Sequence, residues 1–129
     1  MRVVQCPGAA AIGRAEAERA AGAERVLYRV LPAGAEDRFP RAFAPLTLEG
    51  ARTLVGFGLK LFGTDAPSVD PVDSRTLDAH HALDQGGVAI LEGLALADVA
   101  AGDYELIALP LKWQDVDAAP VRAVLRARD

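Results

Sequence analysis

The sequence predicts an α/β domain, and three features carry that expectation. A strand–helix–strand alternation runs over residues 25–62, strand-sized apolar runs occur at residues 25–31, 88–91 and 104–111, and glycine or proline separates most segments. The 129 residues suit one domain, over residues 1–129. With 51% hydrophobic and 25% charged residues, the composition is that of a globular chain.

Each element has a local reason. Residues 1–5 (MRVVQ) read as a short strand, stopped by Pro7 and Gly8. Alanine, glutamate and arginine over residues 14–23 suit a solvent-facing helix, although apolar periodicity is weak there. Residues 25–31 (RVLYRVL) carry the β-branched and aromatic residues of a buried strand. A proline-rich surface loop follows at residues 32–45. Thr47 is placed to cap a helix whose inward face is Leu48, Leu54 and Val55, with Gly56 or Gly58 ending it and a strand at residues 59–62. Residues 63–74 (GTDAPSVDPVDS) show no periodicity and read as an irregular loop of a length that is usually functional. Ser74 is the expected N-cap of a helix over residues 75–85, and Gly86 and Gly87 stop it. Strands are expected at residues 88–91, at 104–111 in a central position, and at 121–125, the last two forming a hairpin.

Charge and cysteine content exclude several roles. The net charge is −4, Lys60 and Lys112 are the only lysines, and nothing basic is clustered, which argues against nucleic acid or an anionic membrane as partner. No apolar run approaches a membrane span, and Gln5 and Pro7 interrupt any leader-like stretch. The single Cys6 cannot form an intrachain disulfide and fits a reducing cytoplasm, the expected location.

Few residues offer chemistry. His80 and His81 are adjacent in the expected helix, about 100 degrees apart, so they cannot easily hold one ion together. Either is equally an ordinary surface or half-buried histidine. Glu92 lies between the apolar runs VAIL and LALA, directly after a strand, where α/β sheets gather ligands. It also fits a carboxylate at the start of a following helix, stabilised by the dipole. Asp65, Asp70 and Asp73 are compatible with a hard cation and with plain turn chemistry. Cys6, beside Pro7 and far from any histidine, reads as an inert thiol, and Trp113 as a packed or rim aromatic. Phosphate-binding glycine loops, nucleophile elbows and paired-cysteine motifs are absent.

The run GTDAPSVDPVDSRTLDAHHAL, followed by GVAILEGLAL, YELIALPLKW and PVRAVL, resembles the bacterial cyclase family, and within it the kynurenine formamidase (arylformamidase) branch. The resemblance is dense from Gly63 to Leu125 and looser towards Met1. It implies a swivelling β/β/α fold and a zinc-dependent amide hydrolase of tryptophan catabolism, with manganese in some relatives. The implied substrate is a small formyl-arylamine, N-formyl-L-kynurenine, cleaved to kynurenine and formate. A homo-oligomer is implied as well. The family's late metal ligands match His80 and Glu92, with His81 a neighbour and residues 65–74 a buttress. The family's earlier H-x-G-T-H-x-D-x-P motif is absent, since no histidine precedes His80. The chain therefore corresponds to the C-terminal part of the family fold, and no catalytic acid–base residue is identifiable. Impaired turnover is expected, and the competing expectation is a non-catalytic, truncated cyclase-like domain that oligomerises or binds a partner.

Overall fold

The computed structural model describes residues 1–35, 39–40 and 42–128. Part of the expected loop at residues 32–45 lies outside the described residues. In chain order the elements are β1 (Arg2–Gln5), α1 (Arg14–Glu18), β2 (Arg25–Arg29), α2 (Leu48–Gly56), β3 (Leu61–Thr64), α3 (Asp78–Gln85), β4 (Ala89–Leu91), β5 (Gly102–Pro110) and β6 (Val121–Ala127). They build one six-stranded mixed sheet in the order β4-β3-β2-β1-β5-β6. The first four strands are parallel, with Val3 beside Leu27, Leu27 beside Gly63, and Phe62 beside Ile90. β5 runs antiparallel to both β1 and β6.

Strands β1 to β4 are added one after another in a single direction. With right-handed crossovers, that winding puts all three connecting helices on one face of the sheet. The helices pack α1 on α2 and α2 on α3. The main core fills the space beneath them: Val4, Val26, Tyr28 and Phe62 from the sheet meet Ala17, Ala51, Leu54, Ala79 and Leu83 from the helices. A smaller cluster on the opposite face joins Val3 and Leu27 to Leu96, with Leu94, Val99, Tyr104 and Leu125 at its margin. That face is covered by the irregular segment after β4, which Gln5 anchors by donating from its side-chain amide to Val99 O at 2.8 Å.

Thr47 caps α2 as its position foretells, its hydroxyl accepting from Gly50 N at 3.0 Å. α2 lies so close to the parallel bridge between Ile12 and Leu46 that a Cβ on Gly50 would collide with the Ile12 carbonyl oxygen. Of the expected inward face of α2, Leu54 is buried but Leu48 is exposed, and three further expectations need correction. The helix expected over residues 14–23 is α1, ending at Glu18 and continuing only as turns, with Ala17 in the helix and Ala20 in those turns buried in the core. Ser74 does not cap α3: its Oγ accepts from Leu77 N, tightening the preceding turn, and α3 begins at Asp78. β5 is not central. It pairs with β1 through Gly102 and Asp103, Tyr104 bonds to Met1 just ahead of β1, and the residues beyond pair with β6 alone, so its apolar run forms an exposed arm.

No helix among the described residues is long and apolar enough to cross a membrane.

Candidate metal centre

The site residues collect beyond the carboxyl ends of β3 and β4, where an α/β sheet leaves a crevice. β3 runs straight into Asp65, which is buried and accepts from Val30 N at 2.8 Å and Leu31 N at 3.2 Å, tying the end of β3 to the end of β2. Burial pushes the Asp65 carboxyl above its ordinary value, and the bonds from Val30 and Leu31 oppose that rise, as does the charge of Arg29. Asp65 is thus a stitch in the scaffold. The loop then turns back, and Ser68 Oγ accepts from Asp70 N at 3.2 Å.

Asp70 organises the site. It is 2% exposed, and its carboxylate meets the first turn of α3, accepting from Ala79 N at 2.9 Å and His80 N at 3.0 Å. These donors are the ones a side-chain N-cap satisfies. The residue at the cap position is Leu77, in the left-handed region at φ 50, and it provides no side-chain bond. Asp70 therefore caps α3 from a distance. The same carboxylate lies 2.6 Å from His80 Nδ1. Burial disfavours its ionised form, but the N–H groups of Ala79 and His80 and the imidazole together hold its carboxyl below the usual carboxylate range.

With Nδ1 engaged, the His80 ring presents Nε2 to Glu92, whose Oε1 is 3.1 Å away. Glu92 follows β4 directly, and its Oε1 also accepts from Val69 N at 2.8 Å. Gly93, at φ 64, turns the chain at once, and no helix forms before β5. The helix-dipole explanation for Glu92 therefore fails. The carboxylate is half-exposed at the rim of the crevice, not enclosed between apolar runs.

His81 points elsewhere. It is exposed on a groove between α2 and α3 lined by Leu48, Arg52, Val55 and Asp78, as the helical offset from His80 requires. Asp73 is exposed, and Trp113 sits exposed beyond β5 rather than packed. Cys6 is buried, and burial raises its thiol pKa against the opposing charge of Arg19, which agrees with an inert thiol.

A divalent cation fits the donor pair in part. Zinc with nitrogen and oxygen ligands at about 2.0–2.2 Å in tetrahedral geometry separates two donors by about 3.3 Å, close to the 3.1 Å between Nε2 and Oε1. A carboxylate behind the other ring nitrogen is the arrangement that fixes a metal-binding histidine. A third donor is missing: among the described residues, no group of three or more His, Cys, Asp or Glu side chains is placed to hold an ion. The sequence pointed to His80 and Glu92, and the structure brings them together. The sequence offers Asp70 only alongside Asp65 and Asp73, as a hard-cation ligand or a turn residue, and its place behind the His80 ring cannot be read from an aspartate between Val69 and Pro71.

No protein-family model matches the chain. Solved structures do, two of which follow. A predicted metal-dependent hydrolase from Bacillus stearothermophilus is 27% identical, with a TM-score of 0.83 over 96% of this chain and 61% of its own. A potential metal-dependent hydrolase with cyclase activity is also 27% identical, with a TM-score of 0.85 over 98% of this chain and 64% of its own. The chain thus spans about three fifths of the length of each of these two structures. Its α/β architecture is the one these predicted metal-dependent hydrolases share.

Proposed function

We propose that the chain carries part of the metal centre of an amide hydrolase of the kynurenine formamidase type, acting on a small formyl-arylamine such as N-formyl-L-kynurenine. The observation that carries this reading is the convergence of His80 Nε2 on Glu92 Oε1 at 3.1 Å, with Asp70 behind the ring, in a fold shared with predicted metal-dependent hydrolases. His80 and Glu92 would hold a zinc or manganese ion, and Asp70 would keep the His80 proton on Nδ1 so that Nε2 offers its lone pair. A bound ion would supply Lewis acidity towards the formyl oxygen and towards water. Zinc in a catalytic site takes three protein ligands, so at least one donor has to come from beyond the described residues.

One observation favours a second reading. The missing third donor suits a non-catalytic domain that keeps the fold and a remnant of the centre. Calorimetric titration of zinc into metal-stripped protein separates the two. Under the first reading, binding at a defined stoichiometry is expected; His80→Ala and Glu92→Ala each abolish it, and His81→Ala weakens it little. Absence of specific binding in the parent, or equal affinity in all four proteins, would leave only the second reading.

A further inference from the structure

Gly63 lies within β3, where neither a turn nor a positive φ calls for glycine. A glycine inside a strand often marks a place where other atoms approach closely. In register, Gly63 stands between Leu27 on β2 and Leu91 on β4, and it shares with Leu27 the face opposite the helices. A Cβ at this position would collide with the Leu27 side chain and lie 3.0 Å from Leu94 Cδ1. Carbon atoms in van der Waals contact prefer about 3.5–4.0 Å. The space a side chain would fill is therefore the seat of Leu94, the second residue after Glu92.

Leu94 belongs to the stretch that carries Glu92. After β4 the chain folds back over the carboxyl end of β3, where Gly93 N donates to Ala66 O at 2.9 Å and Leu94 N to Thr64 O at 3.1 Å. Gly93, at φ 64, makes the bend. On one side of that bend Leu94 packs at the margin of the cluster that holds Leu27 and Leu96. On the other side the Glu92 Oε1 accepts from Val69 N and faces His80 Nε2. Glu92 and Leu94 are thus the two ends of a short lever pivoting at Gly93. We infer that Gly63 is a positioning residue for the candidate metal centre. By carrying no side chain it lets Leu94 seat against β3, and the seated Leu94 holds the Glu92 carboxylate within reach of His80. The purpose of this placement rests on the metal reading above, whereas the placement itself needs no metal. The smaller cluster thereby takes part in the site, although it lies on the face of the sheet turned away from α3.

The Val69 amide proton reports on Glu92 directly, because it is bonded to Oε1, and NMR reads it in metal-free protein. Glu92→Ala marks the resonance of the broken bond. In Gly63→Ala the Val69 resonance should move most of the way to that position. Zinc affinity of the metal-stripped protein should fall about 10–100-fold, the usual cost of disturbing what orients a ligand. Leu94→Ala empties the same contact without overfilling it, so it should give both changes even if Gly63→Ala fails to fold. Leu96→Ala is the control. It removes a side chain only 3% exposed from the same cluster. It should therefore lower the denaturation midpoint at least as much as Leu94→Ala, yet leave the Val69 resonance and the zinc affinity at their parent values. Parent protein that binds no zinc would sink the metal reading, while the Val69 resonance still decides whether Gly63 places Glu92. An unmoved Val69 resonance in Gly63→Ala and Leu94→Ala, or an equal displacement in Leu96→Ala, would overturn the inference. The main-chain bonds of Gly93 and Leu94 would then suffice to hold Glu92.

Discussion

Replacing Asp70 by alanine should cost about 2–4 kcal/mol of stability and most of any specific zinc affinity. The buried carboxylate is the acceptor for Ala79 N and His80 N, and removal leaves both donors of α3's first turn unpaired. Each unmade buried bond costs roughly 1–3 kcal/mol. Nothing local replaces it, because Leu77 provides no cap. The second loss is orientation, since the His80 ring would no longer be tied through Nδ1. Removing such a partner typically costs 10–100-fold in metal affinity. Asp70→Asn separates the effects. Its amide oxygen still accepts from a backbone N–H, but it carries no charge, and an amide donor turned towards Nδ1 would shift the proton to Nε2. Urea melts should show the smaller stability loss, and nitrogen NMR of the imidazole should report the change of tautomer. An unchanged tautomer with full zinc affinity would remove Asp70 from the site. The pH dependence has a defined sign. The folded-state pKa of Asp70 is depressed, so its contribution is complete above the unfolded carboxylate pKa. It is lost as pH falls through the folded value, and Asp70→Asn should flatten that part of the acid limb.

Phe62→Ala should be the most destabilising change in the sheet, at about 3–5 kcal/mol. Phe62 is fully buried beneath the helices and stacks on Tyr28, with ring centroids 5.4 Å apart and planes 24° apart. These two rings join β2 to β3 on the helix side, within the main core cluster. A domain of this kind has roughly 5–15 kcal/mol in total, so the variant should lie near the threshold of folding. Tyr28→Phe is the graded comparison. It keeps the stack and loses only the hydroxyl that donates to Glu16 O at 3.0 Å, a change of about 1 kcal/mol. Chemical denaturation should give midpoints in that order, and similar midpoints for both variants would mean that the stack carries little.

Local rules made much of this legible. Strand positions followed from β-branched and aromatic runs, and Thr47 declared its helix because cap chemistry is read from neighbours. His80 and Glu92 were singled out from their types and positions, and they do meet. What escaped detection depends on contacts between distant segments. Asp70 caps α3 across an intervening loop, so the nearer Ser74 was the natural choice although it serves Leu77. β5 has the apolar run of a buried strand, and only the sheet order shows that most of it stands clear of the body. Burial belongs to the assembled sheet, and a run such as YELIALPL reports the capacity to be covered rather than the cover itself.

The sheet order also sets an order in time. Each of the parallel strands finds its neighbour within a βαβ unit nearby in sequence, but β1 gains its second neighbour only when Arg2 meets Asp103. Ribosomes add about 5–20 residues per second, so a nascent chain holds one side of β1 open for roughly 5–20 s before β5 exists. The late closure joins a long loop, and such pairings come slowly. Pulse-labelled hydrogen exchange during refolding should therefore protect the amides shared by β1, β2 and β3 before that of Tyr104. Simultaneous protection would show that β5 docks as part of the nucleus. Until β5 docks, the molecule is a helix-covered sheet open at β1 as well as at β4, and that interval is when this chain is most exposed to mispairing.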